Sequence, residues 1–199
     1  MHNAANIDQI MDRASEALVQ TRYFDTVDLC HDALTLAWDN DDFDRFARTV
    51  LPLLEARRQI RQHACDAAVE GGIQRAAPDG AFSGTGLYLV EGDALAAATL
   101  RAAADRSRTP AFVIAADDLP PGTDAGAITK APGEAGVRAF QDAAERIGDA
   151  LIASAEGEPG ERLRVETLWR RLQRAPEHEK LHQRLEEAAR AIARAAPVN

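Results

Sequence analysis

Between Leu87 and Ala115 the apolar side chains stop recurring at helical spacing and gather into two short runs, Leu-Tyr-Leu-Val and Ala-Phe-Val-Ile-Ala. An alanine-rich segment separates them, and Asp93 stands where a helix cap would stand. Strand, helix, strand at this spacing predicts a parallel βαβ unit with a right-handed crossover. Both runs are apolar throughout, as expected of strands covered on two faces. A third short strand is expected at residues 127–129. So few short strands need helices packed on them to be stable. The expected fold class is therefore α/β and helix-rich, in one integrated fold. Residues 1–70 are expected to be helical, 71–86 a linker with five glycines and a proline, 87–130 the βαβ unit, and 135–196 a C-terminal three-helix segment.

The N-terminal part reads as a helical hairpin followed by a long helix. Ile7, Ile10, Met11, Ala14, Ala17 and Leu18 form one apolar stripe, and Tyr23, Val27, Cys30, Ala33, Leu34 and Ala37 form another. Thr21 and Arg22 leave room only for a tight turn, so the two helices must run antiparallel. A third stripe runs from Phe43 to Ala67, with Pro52 inside it to kink or split the helix. The hairpin over residues 7–38 resembles a tetratricopeptide repeat. Ala14, Thr26 and Ala33 fall at its small-residue positions, Tyr23 at its aromatic position and Leu34 at its leucine. The resemblance implies a helix pair of the kind used in protein–protein scaffolds. A solenoid needs at least about three repeats, and this chain holds at most one and a half. In the last third, Val137 to Ser154, Leu163 to Leu172, and a segment with Pro176 in its first turn reaching Ala195 read as three helices.

Composition narrows the function. A net charge of −9 opposes nucleic-acid wrapping and anionic membranes. No apolar stretch approaches the ~18–20 residues of a spanning helix. The first residues lack the basic and apolar regions of a signal peptide. Cys30 and Cys65 sit alone in apolar helical patterns, which predicts buried, reduced thiols and a cytoplasmic protein. Arg57, Arg58 and Arg61 form the densest basic cluster, flanked by Glu55 and Asp66. They read as a solvated helix face and as a candidate interaction surface.

One motif would name an enzyme. His178-Glu179-Lys180-Leu181-His182 matches His-Glu-x-x-His, in which two histidines on one helix face grip zinc and the glutamate serves as general base. A third ligand is required. The 17 residues after His182 contain no His, Cys or Asp. Glu186 and Glu187 lie too far along the same rod. A longer metalloprotease pattern would need Gly at Leu185 and His at Ala188. Lys180 is charged where such helices are buried. The expected arrangement is therefore a helix start in which Glu177 and Glu179 complement the dipole, His178 packs at the core edge, and His182 faces water.

The ends of the two parallel runs offer a second candidate, since ligands bind beyond the C-terminal ends of parallel strands. Glu91, Asp93, Asp117 and Asp118 cluster there, with only Gly92 to cradle a phosphate. Carboxylates at both ends would repel phosphate unless Mg²⁺ intervened, and caps and turns account for the same residues. Ser83, Ser107 and Ser154 lack a nucleophile-elbow setting, and His63 and Cys65 diverge at i,i+2. Trp38 and Trp169 read as packing residues.

These features point to a noncatalytic protein–protein interaction or scaffold module, with a protein partner or self-association, no nucleic acid, no membrane and no cofactor. Two alternatives differ in kind. One is a zinc-dependent hydrolase built on His178, His182 and Glu179. The other is a small-ligand or nucleotide-binding α/β domain.

Overall fold

The computed structural model describes residues 2–195, with side chains from Ala4 onward. Met1 and residue 196, which belonged to the expected terminal segments, lie outside them. The described residues form eight α-helices and one small parallel sheet, a helix-rich α/β protein as the sequence predicts. The helices are α1 (His2–Val19), α2 (Tyr23–Asp39), α3 (Phe43–Gly71), α4 (Ala94–Arg106), α5 (Ala125–Lys130), α6 (Gly133–Ala153), α7 (Glu161–Arg174) and α8 (Glu179–Ala195). The strands are β1 (Ile73–Ala76), β2 (Gly86–Val90) and β3 (Ala111–Ala115). None of these helices is long and apolar enough to cross a membrane.

The chain divides into two compact units. Unit 1 contains the residues up to Arg58, Leu151–Leu172, and those from Glu179 onward. It therefore holds α1, α2, the first part of α3, most of α7, and α8. The expected hairpin is present. Its turn closes without glycine: Thr21 takes φ 57°, and the Arg22 amide donates to the Ala17 carbonyl at 2.9 Å. The turn between α2 and α3 repeats the device, with Asp41 at φ 54° and the Asp42 amide on the Ala37 carbonyl at 2.8 Å. Both are left-handed helix stops that satisfy carbonyls otherwise left open. Small residues let α1 and α2 approach, and the buried Thr26 hydroxyl donates to the Ala14 carbonyl at 3.4 Å. Pro52 sits inside an unbroken α3, so the helix does not split there. Ile7, Leu34, Phe46, Leu168, Leu181 and Leu185 are fully buried, each contributing on the order of 1.5–3 kcal/mol by burial. Phe46 and Trp169 meet edge to face at 5.3 Å, with Trp38 beside both.

Unit 2 comprises Gln59–Ala150 and Gln173–His178. Its sheet has the order β1-β2-β3, all parallel, with Ile73 opposite Leu87 and Leu87 opposite Phe112. Asp93 caps α4 as expected, accepting from the Leu95 and Ala96 amides at 3.0 and 3.1 Å. Tyr88, Val90, Val113 and Ala115 pack with Ala97, Leu100 and Ala104 of α4. On the alternate strand positions, Phe112 meets Phe140 of α6 edge to face at 5.1 Å.

Two expectations need correction. The glycine-rich segment 71–86 is more than a linker, because Ile73–Ala76 pairs with β2. The loop beyond it is tied by Tyr88, whose hydroxyl donates to the Gly84 carbonyl at 2.6 Å and accepts the Ser83 amide at 3.1 Å. Residues 127–129 are helical, not a strand, since Asp124 starts α5 by accepting the Gly126 amide at 2.7 Å.

Candidate functional site

The histidine motif does not form the helix face that zinc would require. Helix α8 begins at Glu179, so His178 precedes it and Pro176 lies in the turn before it rather than in its first turn. His182 is on α8 but buried, at 1% exposure, on the stripe with Leu181 and Leu185, which corrects the expectation that it faces water. His178 belongs to unit 2 and His182 to unit 1. Glu179 is in the first turn of α8, 3.8 Å from Arg58. Among the described residues, no group of three His, Cys, Asp or Glu side chains is placed to hold a metal ion.

The expected basic face is also redistributed. Arg57 is 4% exposed, because it sits on the stripe that buries Leu53, Ala56 and Ile60. Arg61 is largely covered, and its Nη1 donates to the Glu177 carbonyl at 3.0 Å. Only Arg58 is mainly exposed, near Glu55 at 3.8 Å. The three arginines therefore do not form one exposed patch.

At the strand ends, Glu91, Asp93 and Asp118 each have a bonded partner. Glu91 pairs with Arg75 at 2.9 Å on the surface. Asp93 caps α4. Asp117 and Asp118 lie in the short 3-10 turn after β3, and Asp118 accepts from Arg174 at 2.8 Å.

Beside β3, an edge strand, lies a recess with about 410 Å³ of empty space, part of it open to solvent. Its apolar wall includes Phe112, Ile114, Ala144 and Ile147, and its polar wall includes Asp118, Glu145, Arg174, Glu177 and His178. Arg174, Ala175, Glu177 and His178 supply one side, and Ala144, Glu145 and Ile147 of α6 another.

Arg101 organises this region from below. It is 5% exposed on α4, on the stripe of Ala97, Leu100 and Ala104. Its Nη2 donates to the Val113 carbonyl at 2.8 Å and the Arg174 carbonyl at 3.3 Å, and its Nη1 donates to the Gln173 carbonyl at 3.4 Å. One guanidinium thus satisfies the edge of β3 and the last carbonyls of α7. Its Nε lies 3.9 Å from the buried Glu177 carboxylate.

His178 completes the polar wall. It is 4% exposed, with Nε2 3.2 Å from Glu145 and 3.6 Å from Asp149, one turn apart on α6. Its ring occupies the space a side chain at Gly148 would fill. Glu145 is also 3.8 Å from Arg61. Nearby, Gln141 donates to the Cys65 sulfur at 3.3 Å, and burial pushes that thiol up from its ordinary range.

Sequence reading had not singled out Arg101, Arg174 or Glu145. For Arg101 the signal existed: an arginine in register with an alanine stripe is an arginine pointed inward. Arg174 and Glu145 carry no such local mark.

No protein-family model, no curated protein and no solved structure matches this chain.

Proposed function

We propose that this protein works by binding rather than by chemistry, as a noncatalytic interaction or scaffold module in the cytoplasm that engages a protein partner or a second copy of itself. The observation supporting this is how the ionisable groups of unit 2 are used. Asp93 caps a helix, Asp118 holds Arg174, Arg101 faces carbonyls and Glu177, and His178 faces Glu145. A catalytic group must be presented to a substrate, whereas these groups are presented to one another. The hairpin of α1 and α2, with its likeness to a tetratricopeptide repeat, supports the scaffold reading. Cys30 and Cys65 are buried free thiols, which supports a reducing compartment.

Light scattering on the purified chain over a wide concentration range, together with cross-linking of a tagged copy in cells, tests the proposal. A reproducible complex of fixed stoichiometry is expected. A monomer with zinc-dependent hydrolase activity that disappears in Glu179→Gln would overturn it.

A second reading, small-ligand binding by unit 2, is favoured by the recess beside β3. It combines an apolar wall with a few convergent polar groups, the composition of a small-molecule site.

A further inference from the structure

We propose that His178 is a proton-operated latch: as an imidazolium it holds residues 173–178 against α6, and loss of its proton above neutral pH releases that hold. The latch does not depend on the interaction reading.

Residues 173–178, the end of α7 and the turn after it, belong to unit 2 and are tied to its other elements. Arg101 of α4 donates to the Gln173 and Arg174 carbonyls and lies 3.9 Å from Glu177. Arg61 of α3 donates to the Glu177 carbonyl and lies 3.8 Å from Glu145 of α6. Arg174 pairs with Asp118, after β3, at 2.8 Å. His178 faces Glu145 and Asp149 of α6 at 3.2 and 3.6 Å. Three arginines thus meet four carboxylates, and an imidazolium brings the charges into balance. Asp142 and Arg146 of α6 are exposed and opposite in sign, and the Cys65 thiol of α3, raised by burial, adds no charge.

Both carboxylates approach one atom, Nε2, and that selects the ring's charge. A neutral imidazole presents there either one N–H, which serves one carboxylate, or a lone pair, which opposes both. Only the cation satisfies the pair. Burial of the ring favours the neutral form, but an opposite charge within about 4–6 Å shifts a titration by roughly 1–3 units, and here two stand in direct reach. The ring fills the gap at Gly148, so it cannot turn from the carboxylates without leaving α6. The Glu145 and Asp149 side chains are 42% and 50% exposed, so the proton can come and go without unfolding. A proton held more tightly in the folded chain contributes stability that is complete below the free imidazole value of about 6.5. That stability is lost as pH rises through the folded value. At higher pH the two carboxylates repel each other across a neutral ring.

The test is an NMR pH titration of the full chain. The His178 ring carbon signals are assigned through their contacts to Gly148, and the amides of Arg174, Ala175 and Glu177 are followed in the same samples. The ring should titrate at least about one unit above 6.5, and the three amides should move with the same midpoint. Glu145→Gln and Asp149→Asn change exposed side chains, so both variants should fold. Each should lower the midpoint by about one unit. Hydrogen exchange at residues 174–177, corrected for its intrinsic rise with pH, should speed up above the midpoint in the parent chain. A ring midpoint at or below 6.5 overturns the latch. So does a midpoint that neither carboxylate change moves, or a ring that titrates while residues 174–177 do not respond.

Discussion

The ring of His178 stands where the side chain of residue 148 would be, and only glycine at that position lets it lie against α6. A Cβ on Gly148 would overlap Cγ, Cδ2 and Nε2 of the imidazole. In an open helix, Gly→Ala stabilises by about 1 kcal/mol. Here the sign should reverse. Gly148→Ala should destabilise by about 1–3 kcal/mol, as overpacking does in a filled interior. In His178→Ala the same glycine change should be neutral or stabilising. Urea unfolding of the two single variants and the double variant measures this as a coupling energy. Simple additivity would show that the ring does not occupy that space.

Arg101 should be the most costly surface-to-core charge to remove in unit 2. Its side chain is 7% exposed and the neighbouring Glu177 side chain 1% exposed. Arg101→Met removes the donors to three carbonyls and takes away the guanidinium 3.9 Å from the buried Glu177 carboxylate. Losing one partner of such a pair costs about 3–5 kcal/mol. Arg101→Lys should recover little of it, because an ammonium cannot span the carbonyls of Val113, Gln173 and Arg174 as a planar fork does. Thermal and denaturant unfolding of both variants decides, and a mild Arg101→Met would show that the fork carries little stability.

Arg101 also shows where sequence reading stops. Strands β2 and β3 and the capped helix α4 were legible because their signals are local: two short apolar runs and an aspartate at the cap. Strand β1 was not, because Ile-Gln-Arg-Ala has no pattern of its own and is a strand only through pairing with β2. Residues 127–129 looked apolar enough for a strand, yet Asp124 makes them helical. Arg57 reads as solvated because its neighbours in sequence are charged, while its neighbours along the helix stripe are buried. The recess joins residues far apart in the chain, Phe112, Glu145 and Arg174 among them, so no short window could reveal it.

Acid should weaken one specific link in unit 1. Arg45 donates to both oxygens of Asp8 at 2.8 Å, and this hydrogen bonding holds the Asp8 carboxyl below its ordinary value, with the charges of Arg45 and Arg48 adding to it. A carboxyl lowered in the folded state stabilises fully above its unfolded value of 3.8. That contribution fades as pH falls from there through the folded value. Asp8→Asn should therefore be less stable than the parent at neutral pH, with the difference closing below about pH 4. Parallel denaturant titrations at several pH values check the trend, and a gap that persists unchanged into acid would remove the charge explanation.

The Cys30 thiol supplies a readout of unit 1 opening. It is fully buried on α2, and burial pushes its pKa up to about 12. Only about one thiol in ten thousand would then be ionised at pH 8, and the thiolate is the reactive form. Alkylation of native protein at pH 8 should therefore be slow at Cys30 and should accelerate sharply in denaturant, where the ordinary pKa returns. Cys65, raised by burial but touched by the Gln141 amide, serves as an internal comparison for unit 2. Mass spectrometry of time-resolved labelling resolves the two sites. Rapid Cys30 modification without denaturant would mean that α2 opens readily and that its apolar stripe is not the closed interior of unit 1.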